Sequence, residues 1–301
     1  MATGVRVGIV LLPQERWATQ RAKWRQAEEW GFAHAWTYDH LAWRTLADEP
    51  WFATVPLLAA AAEATTSIEL GTFVASPNFR HPVPFAKDVM GLDDISGGRF
   101  LLGIGAGGEG FDASVTGPAP SRGERTRRFE EFVGLLDTLL TQPVTEHAGE
   151  FYTAHDARMV PGTIARPRTP FVVAAAGPRT MRLAARYGQG WVTYGASYAT
   201  EDLDDEPTKA QERWWAALAE QVAAFDEIER EHRPGGQPLR RYLSLDGAPV
   251  YSLTSPDLAV EGVERAEALG FTDVVIHWPR REGIYAGTEK SLETFAAHLS
   301  H

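Results

Sequence analysis

The chain has 301 residues, of which 44% are hydrophobic and 23% charged, and it carries a formal net charge of -11. That balance supports a large buried core and excludes a disordered polymer, while the acidic surface excludes general binding to a phosphate backbone and still allows one anionic cofactor in a local basic pocket. There is no cysteine, so disulfides, thiolate nucleophiles and Cys-ligated metal are excluded, in keeping with a reducing cytoplasm. The only early apolar run, residues 5–12, is broken by Arg6 and ends at Pro13, too short for a signal segment or a membrane span. These features lead us to expect a cytoplasmic protein with no nucleic-acid or membrane partner; a small-molecule substrate and a homodimeric assembly are separate expectations.

In chain order, a buried strand at 5–12 precedes a helix at 16–30 that Gly31 stops, and a strand at 33–38 precedes an Ala-rich helix at 52–64. A β-rich run at 68–74 leads through the polar loop 75–81 to a helix opened by Pro82. Its apolar residues Phe85, Val89, Leu92 and Ile95 recur at helical spacing, Gly97-Gly98 ends it, and a strand follows at 99–104. A Gly-rich loop at 105–123 is followed by a helix at 124–140 with Phe129, Phe132, Leu135, Leu136 and Leu139 on one face. Residues 144–170 break the rhythm and read as a short hairpin with an irregular, Pro-rich excursion. The alternation then resumes, with strands at 171–175, 190–194, 240–245 and 272–277 and helices at 179–187, 207–231, 256–269 and 290–299. This alternation predicts an α/β fold, a (β/α)8 TIM barrel rather than a doubly wound sheet. The whole of 1–301 is then one domain, with an insertion after strand 4 and a helical insertion before strand 7.

A barrel places its site at the carboxyl ends of the strands. The residues there are Asp39-His40, Ser76 to His81, Gly107-Gly108-Glu109, Ala176-Gly177-Pro178, Tyr194-Gly195 and His277-Trp278. Histidine is the side chain suited to moving a proton near neutral pH, so His40 can do so, or it can be half-buried packing. Asp39 either bonds a ligand or caps a turn. Ser76 and Asn78 either reach a ligand or make a turn, and Arg80 and His81 read as a solvated rim. Trp43, Trp51 and Phe52 wall a substrate or seal the barrel top, with Trp278 a second pocket wall. Ala176-Gly177-Pro178-Arg179-Thr180 opens a helix directly after a strand, which leaves backbone N–H groups at the positive end of the helix dipole. His147 and His155 lack convergent metal-ligand spacing, so we expect no metal site. The Trp214-Trp215 pair reads as helix packing or an interface, and the charged cluster at 227–233 as a solvated helix end.

The stretches GFAHAWTYDH, LGTFVASPNFRHPVPFAKD, ISGGRFLLGIGAG and AAAGPRTMRLAARYGQGWVTYG resemble, in order and spacing, the bacterial luciferase-like family of flavin- and deazaflavin-dependent oxidoreductases. The resemblance implies a (β/α)8 barrel and either the deazaflavin coenzyme F-420 or FMN as cofactor. It places Asp39 and His40 beside the reacting edge of the flavin and puts a non-proline cis peptide at Phe73-Val74, where Val74 supports the ring. It places Ser76, Gly107 and Gly108 against the cofactor, gives Glu109 an acid or base role, and sets the cofactor phosphate on Ala176, Gly177, Pro178, Arg179 and Thr180. Where sugar-phosphate-oxidising members carry basic ligands, around residues 195–198, this chain has Gly-Ala-Ser-Tyr, which argues against a sugar phosphate. The deazaflavin branch fits the motifs better. The alternatives are an FMN-dependent monooxygenase using reduced FMN and oxygen, and a flavin-binding protein without turnover.

Overall fold

The computed structural model describes residues 4–108, 110–197 and 206–299. Among them, ten strands are β1 (Arg6–Val10), β2 (His34–Thr37), β3 (Glu69–Thr72), β4 (Phe100–Ile104), β5 (Val144–Ala148), β6 (Thr153–Arg158), β7 (Phe171–Ala174), β8 (Gly190–Thr193), β9 (Arg240–Ser244) and β10 (Asp273–His277). The α-helices are α1 (Trp17–Glu29), α2 (Thr54–Ala64), α3 (Pro82–Ile95), α4 (Phe111–Ser114), α5 (Arg122–Thr141), α6 (Pro178–Tyr187), α7 (Pro207–His232), α8 (Pro256–Ala268) and α9 (Glu289–Ala296). Eight strands close in the order β1-β10-β9-β8-β7-β4-β3-β2, and β5 and β6 form a separate two-stranded sheet. The fold is therefore the expected parallel (β/α)8 barrel, with the hairpin falling inside the predicted excursion.

The chain's contacts divide it into two compact units, residues 1–11, 26–35 and 175–301 in one and 12–25 and 36–174 in the other. In the first, β10 pairs in parallel with β1 and with β9, and β9 pairs with β8. Asp273, at the start of β10, is fully buried and is met by three side chains: the Arg240 guanidinium at 2.7 Å, the Arg6 guanidinium at 3.0 Å and the His34 ring at 3.1 Å. A carboxylate taken out of water needs such partners. Gly8 is obligatory beside this cluster, because a Cβ there would lie 1.7 Å from the His34 ring.

In the second unit, β4 pairs in parallel with β3 and β7. Helix α3 starts with Pro82, its first N–H groups capped by His81 Nδ1, which accepts from the Val83 N–H at 3.2 Å. It ends where Gly97 and Gly98 adopt φ of +65° and +83°. Helix α5 opens on a capping sequence, with Ser121 Oγ accepting from the Glu124 N–H. The excursion after the hairpin is pinned to α3 by Asp93, which accepts from the Ile164 N–H at 2.5 Å, the Ala165 N–H at 3.2 Å and the Thr169 hydroxyl at 3.0 Å. The four-residue helix α4 lies inside the predicted Gly-rich loop at 105–123. The cluster at 227–233 is also more than a solvated end: Glu229 accepts from Arg241 at 2.7 Å and from the Leu239 N–H at 2.8 Å, and so fixes the entry to β9.

Candidate functional site

His40 is the third residue after β2, half-buried, with a side chain 27% exposed. Its Nδ1–H donates to Asp112 Oδ2 at 2.5 Å, and the other oxygen of Asp112 accepts the Leu41 N–H at 2.8 Å. An ionised carboxylate only accepts, so the proton of the neutral imidazole lies on Nδ1 and the lone pair on Nε2. Around the ring stand Tyr38, edge-on at 5.9 Å, and Trp43 at 6.5 Å. Trp51 Nε1–H donates to the His40 carbonyl at 2.8 Å and holds the backbone from the other side.

Trp43 is buried edge-on against Tyr38 at 5.0 Å, so it walls the space beside His40 from within. Asp39 is committed to Arg80: Nε donates to Oδ2 at 2.8 Å and a terminal nitrogen to Oδ1 at 2.5 Å. The expectation that Arg80 belongs to a solvated rim is thereby corrected. Its side chain is only 14% exposed, and the guanidinium lies over Phe79 at 5.0 Å and Phe85 at 4.4 Å. Asp88, 3.9 Å from Arg80, has its carboxyl pushed up by burial, against the opposing pull of Arg80. His81 is exposed and serves as the cap of α3.

The peptide Phe73-Val74 is cis, and Val74 leads into the buried Ala75 and Ser76. Ser76 Oγ accepts from the Asn78 N–H at 3.4 Å, a turn contact. Asn78 in turn donates to the Gly108 carbonyl at 3.4 Å and packs on Gly107, which has φ of +76° and no room for a Cβ. Gly108 is the opposite case: exposed, with no heavy atom within 4 Å of where its Cβ would stand. Glu109 lies outside the described residues.

In the other unit, Gly177 caps α6 with no side chain satisfying the helix start, and Pro178 occupies the first turn. Space in front of Gly177 is open to 4 Å from a Cβ position. Ala176, Pro178 and Arg179 are exposed, and the Thr180 hydroxyl donates to the Gly177 carbonyl at 3.0 Å. A helix start of this kind suits an anion. Gln221 holds the approach to it, bridging the Thr193 hydroxyl and the Ala176 carbonyl. Trp278, expected as a pocket wall, stacks on Trp30 at 5.5 Å with its Nε1–H donated to Glu289 at 3.1 Å, a packing position. Among the described residues no three acidic or imidazole groups are arranged to hold a metal ion, and no helix is long and apolar enough to cross a membrane.

The residue that sequence reasoning missed is Asp112. An acid just inside a short helix reads as a partner for the helix dipole, and nothing in the spacing links it to a histidine 72 positions earlier.

Residues 2–213 match the luciferase-like monooxygenase family. A curated F420-dependent glucose-6-phosphate dehydrogenase of Beutenbergia cavernae is 32% identical over 298 residues, 85% of this chain and 86% of the relative. The 4-hydroxyprotoasukamycin monooxygenase of Streptomyces nodosus subsp. asukaensis is 35% identical over 187 residues, 57% of this chain and 47% of that enzyme. Among solved structures, monooxygenase RslO1 from Streptomyces bottropensis has the same fold, with a TM-score of 0.76 at 19% identity over 99% of this chain and 98% of that one. The chain belongs to the luciferase-like monooxygenase family and is an oxidoreductase.

Proposed function

We propose that the protein is an oxidoreductase that transfers hydride between a small organic alcohol or carbonyl compound and coenzyme F-420. The observation that carries this reading is His40, with Nδ1 held by Asp112 and no hydrogen-bond partner for Nε2 among the described residues. An imidazole so arranged is ready to take the hydroxyl proton of an alcohol as its carbon loses hydride, or to return it in the reverse direction. Glu109, from its place in the sequence, is the second proton-handling group. The F420-dependent relative matches along 85% of the chain and the monooxygenase relative along 57%, which supports the deazaflavin branch.

The chain's own backbone fits such a group. Val74 after the cis peptide, Ser76, Gly107 and the open face of Gly108 would hold the ring, with Asp39 keeping the loop in place through Arg80. Ala176, Gly177, Pro178, Arg179 and Thr180 would hold the phosphate. When bound, F-420 supplies a carbon that accepts or returns hydride and reacts little with oxygen. Trp43 lines the substrate side.

A sugar phosphate is disfavoured as substrate. Gly195 has φ of +73°, and a Cβ there would lie 2.4 Å from the Trp214 indole, so no basic side chain can stand at that position. In this reading residues 1–301 act as one catalytic domain, cytoplasmic and homodimeric. A fluorescence titration of the protein with F-420 and with FMN, side by side, tests the assignment. Tighter binding of F-420 is expected; tight FMN binding with none of F-420 would favour the oxygen-using monooxygenase.

A further inference from the structure

The strongest unassigned relationship in the molecule is the contact between the loop after β2 and the loop after β4. Asp112 is 5% exposed and uses both oxygens, one on the His40 Nδ1–H at 2.5 Å and one on the Leu41 N–H at 2.8 Å. The backbone contact at Leu41 fixes the carboxylate against rotation, so the acceptor facing His40 is set by the fold. We propose that Asp112 is the positioning residue for His40. It selects the tautomer with Nε2 unprotonated and stabilises the imidazolium that forms when Nε2 takes a proton. This rests on the reading of His40 as the proton-transfer group, and it goes further by assigning a role to a residue outside the substrate and cofactor contacts.

The chemistry balances without another reactant. An alcohol R2CHOH gives its hydride, with the C–H electron pair, to the oxidised deazaflavin, and its O–H proton to Nε2; the products are the carbonyl compound, the reduced deazaflavin and imidazolium. The dyad goes from a net charge of -1 to 0 as the proton arrives, so a buried carboxylate beside Nδ1 favours that step. Other titratable or charged groups on the surrounding elements are already engaged or peripheral. Asp39 is closed on Arg80, Tyr38 meets the ring only by its edge, and the Arg44 guanidinium lies over Trp43 at 5.0 Å. In the same loop Asp48 is exposed and Glu49 accepts from Gln14. Glu109 lies outside the described residues.

Asp112→Asn gives a sharp test because it is nearly isosteric. Its amide oxygen still accepts the Leu41 N–H, so its NH2 must face His40, which obliges Nδ1 to accept and moves the proton to Nε2. The readout that needs no cofactor is nitrogen-15 NMR of the imidazole rings in the unliganded protein, with His40 assigned by its loss in His40→Gln. Wild type is expected to show the Nδ1–H tautomer, and the variant the Nε2–H tautomer. With F-420 and a turned-over alcohol, kcat should fall about 10²-fold in the variant while KM and F-420 affinity stay within a few-fold. An unchanged tautomer in a folded Asp112→Asn protein would overturn the dyad. Absence of F-420 turnover in wild type would instead overturn the proposed function, while the NMR comparison would still decide the role of Asp112. Should Asp112→Asn not fold, Asp112→Glu provides the second variant: retention of the Nδ1–H tautomer supports the proposal, and its loss with intact turnover contradicts it.

Discussion

Asp39 and Arg80 form a two-point ion pair, at 2.8 Å and 2.5 Å, that ties the residue before His40 to the loop following β3. Asp39 is 2% exposed and Arg80 is held between Phe79 and Phe85, so both the charge and the fork geometry of the guanidinium are used. Arg80→Ala strands a buried carboxylate, and breaking such a pair costs about 3–5 kcal/mol. We expect a loss of that order in urea denaturation, with Arg80→Lys recovering only part of it. A change within about 0.5 kcal/mol would mean the pair is solvated after all.

The helix start at Gly177 makes a prediction about charge. Gly177 has φ of -118°, and a Cβ there meets nothing within 4 Å, so both Gly177→Ala and Gly177→Asp should fold. Gly177→Asp places a negative group where the cofactor phosphate is proposed to bind and should weaken F-420 binding at least tenfold more than Gly177→Ala does. Equal affinities for the two variants would remove the phosphate from this helix.

Much of the barrel was legible because its signals are local. Pro82 and the Gly97-Gly98 pair bracket α3 as expected, and the break at 144–170 opens with the β5–β6 hairpin. Helix α4 was not legible, since four residues bounded by Gly110 carry too little periodicity to register. Arg80 read as rim and Trp278 as pocket for a common reason: the environment of a long side chain is set by residues distant in sequence, here Asp39 for one and Trp30 and Glu289 for the other. The cluster that Asp273 forms with Arg6, His34 and Arg240 was equally invisible, because its members belong to four different strands or strand entries.

Glu131 gives a pH dependence. Burial alone raises its carboxyl, but donations from His147, the Phe151 N–H and the Tyr152 N–H outweigh burial and hold it below its ordinary value of 4.5. A depressed carboxyl contributes stability that is present above its unfolded-state value and is lost as pH falls through the folded-state value. Wild type should therefore lose urea resistance as pH drops below 4.5. Glu131→Gln should be less stable than wild type near neutrality and should show a shallower decline in acid. Parallel pH curves for the two proteins would contradict this account of the hairpin anchor.

His40→Ala removes the proposed proton carrier without touching the residues proposed to hold the cofactor. F-420 affinity should stay within a few-fold, and turnover should fall by about 10²–10⁴-fold. Undiminished turnover would reduce His40 to packing against Tyr38 and Trp43.

Hydride transfer to a deazaflavin can be observed in isolation under strict exclusion of oxygen. The protein is mixed with oxidised F-420 and a panel of small alcohols deuterated at the carbinol carbon, loss of the oxidised coenzyme is followed spectroscopically, and the recovered coenzyme is analysed for label. F-420 should be reduced without oxygen, with deuterium from at least one alcohol on the deazaflavin ring. Substrate conversion that requires oxygen and consumes reduced FMN, with no label reaching F-420, would contradict hydride transfer to the deazaflavin.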